Sequence, residues 1–157
     1  MKVTLKIPSP KEIPYPVKGK TYDEARDFLL SKPFAACYKA NPSHTEKHDN
    51  DGNTYEIIIS AKPTVTIPKW NGESKLKGDE KKNWVAMMTA LRKHEAKHHK
   101  IFEDEAKAFK KAMAREDPFP KEEVDGRMYD FYSAGQDKQD AYDSKTNHGE
   151  KEGVVLP

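Results

Sequence analysis

The stretch ALRKHEAKHHKIF, Ala90 to Phe102, places His94, Glu95 and His98 in the order H-E-x-x-H. On an α-helix, four residues advance about one turn and leave a rotation of about 40°, so His94 and His98 aim at one point. Two imidazole nitrogens there suit a zinc ion at about 2.0–2.1 Å. Glu95 is rotated about 100° from His94 and reaches beside that point. Its carboxylate is then placed to take a proton from a water that zinc has acidified to a pKa of about 7. His99 is five residues beyond His94, points away, and is a poor ligand.

The same periodicity runs outward from the motif. Trp84, Met88, Leu91, His94, Glu95, His98, Phe102, Ala106, Phe109 and Met113 recur at steps of three and four from Asp79 to about Arg115, which predicts one long helix with an inward face. Arg92, Lys93, Lys100 and Lys107 mostly fall on the other side. Two imidazoles and a carboxylate on an inward stripe are costly to bury without partners, and a metal supplies them. The competing reading is a charged helix whose histidines are satisfied by ordinary hydrogen bonds. "EDPFP" ends the helix. "KEEVDGRMYDFYSAGQDKQDAYD" reads as a second helix weakened by Gly126 and Gly135, and "SKTNHGEKEGVVLP" as a turn-rich tail.

Before the long helix the chain reads largely as β structure. Val3, Leu5 and Ile7 alternate with polar residues in a short strand ended by Pro8 and Pro10. Thr21 and Glu24 have the spacing of a capping box, so a helix begins near Tyr22 and stops at Pro33. A strand is expected over 34–40, and "TYEIIIS" and "TVTIP" supply two more, the last expected to border the cleft. "NDGNT" is a turn, because its glycine is misplaced after Asp49 and Asp51 for a calcium loop. His44 and His48 also stand four apart, but in a polar, proline-flanked segment read as a loop. The fold class expected is α+β: a small, mostly antiparallel sheet packed against the long helix, with a second helix near the C-terminus, in one domain over 1–157.

Composition narrows the function. The chain has 157 residues, 28 Lys+Arg against 26 Asp+Glu, and a net charge of +2. No dense basic block argues for nucleic acid. A single cysteine, Cys37, excludes an intramolecular disulfide. No apolar run suits a membrane span, and "MKVTLKIPSP" lacks the apolar core of a signal peptide.

A catalytic zinc needs a third protein ligand and an open position. Glu105 lies on the right face but roughly 10 Å along the axis, too far, and Glu103 is five residues past His98. The ligand must come from elsewhere, and "AYDSKTNHG" offers Tyr142, Asp143 and His148. Tyr142 is also a candidate donor to a developing oxyanion.

"YPVKGKTYDEAR", "VTIPKW", "WVAMMTALRKHEAKHHKIF" and the tail "AYDSKTNHGEKEGVVLP" together resemble DUF922, a bacterial family described as predicted secreted zinc-dependent proteases. H-E-x-x-H alone is widespread among metalloproteases, and the tail pattern is the more specific part. The resemblance implies a zincin-like domain with His94 and His98 as ligands and Glu95 as general base. It favours His148 as third ligand, with Tyr142 nearby and Asp143 as second choice. It also implies secretion or a periplasmic location. The leading expectation is a Zn2+-dependent metallopeptidase acting on a peptide or protein substrate. A zinc amidase of cell-wall peptides and a non-catalytic metal-binding module are the alternatives.

Overall fold

A computed structural model describes residues 1–157. Its elements are β1 (Lys2–Lys6), β2 (Lys11–Pro16), α1 (Tyr22–Leu30), β3 (Cys37–Lys39), β4 (Pro42–His48), β5 (Asn53–Ala61), β6 (Thr64–Lys69), α2 (Gly78–Met113), β7 (Phe119–Pro120) and α3 (Val124–Thr146). The fold is α+β, with small sheets, the long motif-bearing helix and a second helix near the C-terminus, as the periodicity predicts. No helix is long and apolar enough to cross a membrane.

The chain forms two compact units. The first comprises Met1–Pro10, Ala40–Pro63 and His99–Asp140. Its sheet has the order β1-β5-β4, with β7 also paired to β5. β1 runs parallel to β5, and β4 and β7 run antiparallel to it. Ile57, Ile59, Val3, Phe102, Ala106, Met128 and Phe131 are buried in this unit. Phe109 and Phe131 pack with ring centroids 5.0 Å apart.

The segment holding His44 and His48 is strand β4, not the loop its polarity suggested. An edge strand exposes most of its side chains, so polarity does not exclude it; pairing with the isoleucine-rich β5 decides its conformation. His44 Nδ1 lies 3.4 Å from the Tyr132 hydroxyl, and His48 Nδ1 lies 3.1 Å from Thr54 Oγ1. The hairpin turn behaves as expected. Asp49 Oδ1 accepts from the backbone N–H of Asn53 at 2.8 Å and of Asp51 at 3.0 Å, so this carboxylate caps its own turn.

Glu56 stands between two strands and ties both to β5. Lys2 Nζ and Lys47 Nζ each lie 2.9 Å from its carboxylate, and Thr4 Oγ1 donates at 2.9 Å. These donors, Lys47 first, draw its pKa from the ordinary 4.5 down to about 2. A depressed carboxylate pKa contributes stability above the unfolded value, which is lost as pH falls through the folded value. Glu56→Gln is therefore expected to melt below the parent at pH 7, with the gap closing between about pH 4.5 and about pH 2. Parallel melting curves across that range test this, and a gap independent of pH would contradict it.

The second unit comprises Lys11–Lys39, Thr64–His98 and Ala141–Pro157. Its sheet has the order β2-β6-β3, with β2 parallel and β3 antiparallel to β6. β2 escapes sequence reading because Pro14 and Pro16 interrupt it. Proline removes a donor and is tolerated at a sheet edge, where β2 lies. "TVTIP" is the central strand β6, hydrogen-bonded on both sides, so it offers no free edge for a peptide to pair with; Tyr38 of β3 lies against His98. α1 starts as read, with Glu24 N–H donating to Thr21 Oγ1 at 3.3 Å. The core gathers Ala25, Leu29, Val65, Ile67, Trp70, Trp84, Met87 and Leu91. Trp70 packs on Trp84 at 5.3 Å between centroids, and its indole N–H donates to Gly19 O at 2.8 Å.

Candidate metal centre

α2 brings His94 and His98 onto one buried face, 3% and 7% exposed. Their rings meet edge-on, with centroids 4.8 Å apart at 85°. Asp143, on the last turns of α3, completes a triangle of donor atoms. His94 Nε2 to His98 Nε2 is 3.2 Å, His94 Nε2 to Asp143 Oδ1 is 3.2 Å, and His98 Nε2 to Asp143 Oδ1 is 2.9 Å. Three donors about 2.0–2.1 Å from one tetrahedral centre stand about 3.3–3.4 Å apart. The observed edges approach that size, and the three residues are close enough to bind a metal ion.

The protonation pattern points the same way. His94 Nδ1 lies 2.9 Å from Glu152 Oε2, which also accepts from the Tyr142 hydroxyl at 2.7 Å. These hydrogen bonds, Tyr142's first, lower the Glu152 pKa and keep it ionised. An ionised carboxylate only accepts, so Nδ1 of His94 donates to Glu152, and Nε2 is the nitrogen turned toward the triangle. It lies 3.2 Å from a carboxylate oxygen. A metal ion at that point would draw on both imidazole nitrogens and the carboxylate together. The residues present therefore fit a metal.

Glu95 lies beside this group, 4% exposed. The Tyr38 backbone N–H donates to its carboxylate, while Oε2 is buried without a hydrogen-bond partner. Burial, first, pushes its pKa up to about 7; Asp143 adds to the rise, and His98 and the Tyr38 N–H oppose it. A cation at the triangle would oppose it further and hold Glu95 as the carboxylate. The Tyr38 ring lies nearly parallel to His98, with centroids 6.3 Å apart at 6°.

The end of α3 explains how the tail reaches α2. The His148 N–H bonds back to Asp143 O at 2.9 Å, closing the helix in the Schellman manner. Asn147, His148 and Gly149 then follow one another in the left-handed region, with φ of 52°, 51° and 88°. Such a run reverses the chain at a cost in backbone strain, a feature concentrated at functional sites. A Cβ on Gly149 would lie 3.2 Å from His94 Cγ and 2.7 Å from Val154 Cγ2, so glycine alone lets the backbone pass over the imidazole.

This turn sets the fate of the other candidates. Asp143, the second choice from sequence, occupies the third corner. His148, the first choice, lies outside the triangle and half exposed, its Nδ1 3.6 Å from Asp143 Oδ2 and its ring 5.0 Å from that of Phe34. The left-handed backbone leaves its side chain outside the donor triangle. The Tyr142 hydroxyl turns to Glu152 rather than toward an oxyanion, and its ring stacks on His94 at 4.8 Å and 21°. Burial, and then the bond to Glu152, hold that hydroxyl protonated well above its ordinary pKa. Glu103 pairs with His99 and Lys107, and Glu105 with Lys138.

Glu152 was not found from sequence, since "GEKEG" has no spacing relation to the motif; the paired glycines of a tight return were the available signal. Glu152→Ala is expected to weaken metal binding by about 10–100-fold, the usual effect of removing a carboxylate that orients a ligating histidine. Competition titration against a chromophoric chelator measures this, and unchanged affinity would remove Glu152 from the site.

A family model described as "Bacterial protein of unknown function (DUF922)" matches residues 13–149. The match takes in Glu95, all three donors and His148, and ends before Glu152. No curated protein and no solved structure matches the chain.

Proposed function

The chain belongs to the DUF922 family, and for this member we propose a zinc-dependent hydrolase of peptide bonds. The donor triangle beside a buried carboxylate with an unpartnered oxygen carries the reading. Two imidazoles and a carboxylate are a donor set of catalytic zinc sites, which leave one position for water or substrate. A closed storage site would bring a fourth protein ligand and has no use for a carboxylate kept apart from the donors.

His94, His98 and Asp143 would hold the ion. Bound there, zinc supplies Lewis acidity, polarising a carbonyl and acidifying water. Glu95 Oε2 accepts the proton of the attacking water and passes it to the leaving amine. The Tyr38 N–H keeps the Glu95 carboxylate oriented through its other side. Glu152 holds the His94 tautomer, and the Tyr142 hydroxyl holds Glu152. The role proposed for Tyr142 is thus positioning.

The test is cleavage by zinc-loaded protein of an unfolded protein, a folded protein and peptidoglycan fragments, with and without chelator. Cleavage abolished by chelation and restored by zinc is expected. Preference for the peptidoglycan fragments would move the activity to a cell-wall amidase, and no cleavage of any substrate by the loaded protein would reject hydrolysis.

A further inference from the structure

Beside the metal centre, on the other side of His148, lies a cavity of about 260 Å³. Its walls include Leu29, Met87, Phe34 and Val154, and its mouth carries Leu30 and Val155. Leu30 is 70% exposed, Phe34 51% and Val155 49%. Exposed large apolar side chains gathered at one opening mark a binding surface, whereas scattered ones need no explanation.

We infer that this cavity is the specificity subsite of the enzyme and takes one large apolar side chain of the peptide substrate, an inference that rests on the peptidase reading. Three observations select that occupant. Its size falls below the roughly 300–1,000 Å³ of sites for whole small molecules, and suits a single side chain. Its neighbours Arg26, Lys32 and Glu150 are already engaged. Arg26 bonds Pro157 O at 3.3 Å and pairs with Asp23 at 3.2 Å, Lys32 lies over the Phe28 ring at 4.9 Å, and Glu150 accepts from the Asn147 amide. These three therefore offer no free charge to select an acidic or basic side chain; His148, which also lines the cavity, is shared with the metal side through its 3.6 Å approach to Asp143 Oδ2.

Position is the third. One imidazole separates the cavity from the donor triangle, His148 reaching Asp143 on one side and Phe34 on the other, at the distances given above. An extended peptide advances about 3.3 Å per residue. A side chain within two or three residues of a bond held at the triangle therefore reaches the cavity.

The experiment uses full-length, zinc-loaded protein and two readouts. In the first, quenched-fluorescent peptides carry Phe, Leu, Ala or Asp in turn at each position around a fixed cleavable core. Phe or Leu is expected to exceed Ala by about 10–200-fold in kcat/KM at one position, the range an apolar pocket provides, with Asp lowest. In Phe34→Ala that ratio should fall to a few-fold; Phe34 is half exposed, so the fold does not depend on it.

In the second, N-acetyl-phenylalaninamide and N-acetyl-alaninamide are titrated while backbone amide shifts are followed by NMR. Only the phenylalanine probe should move amides near Phe34 and Val154–Leu156. Cleavage without an apolar preference overturns the subsite, whatever the probes do. Probe shifts without cleavage of any peptide leave an apolar site standing and remove the peptidase reading instead. Absence of both removes both. Self-association abolished by Phe34→Ala would give the cavity to a second copy of the chain and overturn the proposal.

Discussion

Glu95→Gln is expected to remove turnover while the protein keeps its metal. A positioned general base contributes about 10²–10⁴-fold, so kcat should fall by about that factor. Gln has the shape of Glu, and its carbonyl still accepts the Tyr38 N–H, but its amide has no affinity for a proton. Folding should not suffer. Burial already pushes the Glu95 carboxyl up to about 7, which means the site disfavours its charge, and a neutral amide relieves that cost. Metal content and kcat measured on the same preparation give the answer. A variant that cleaves at the parental rate would end the proposed mechanism, and one that loses its zinc would place Glu95 among the ligands.

The second large effect separates Asp143 from His148. Four-ligand structural zinc sites bind with about 10–16 kcal/mol, so one ligand is worth roughly 3–4 kcal/mol, or about 10²–10³-fold in affinity. Asp143→Ala is expected to lose about that much. His148→Ala should lose less than about tenfold, because its 3.6 Å approach to Asp143 is too long for a hydrogen bond. Competitive chelator titrations on both variants decide the matter. Equal losses, or the larger loss in His148→Ala, would return the third ligand to the tail histidine.

These two residues show where sequence reading stopped. His94, Glu95 and His98 were legible because they lie within one turn of one helix, and the apolar stripe around them announced burial. The "AYDSKTNHG" segment was legible as the right neighbourhood but not as the right residue. Which of Asp143 and His148 faces α2 depends on where α3 ends and on the left-handed run from Asn147 to Gly149. No periodicity encodes that direction. Strand β4 was hidden by exposed polar side chains, and β2 by its prolines, because both depend on a neighbouring strand for their conformation.

The amino-acid sequence alone determined the helix, its buried face and two imidazoles with a carboxylate upon it, because a period of about 3.6 residues is a local property of the chain. The tertiary structure alone decided which carboxylate closes the donor triangle, which one bonds His94 Nδ1, and where a cavity opens beside them. Those outcomes join α2 to residues about 50 or more positions away, and contacts at that separation arise from packing and chain reversal rather than from spacing along any one element.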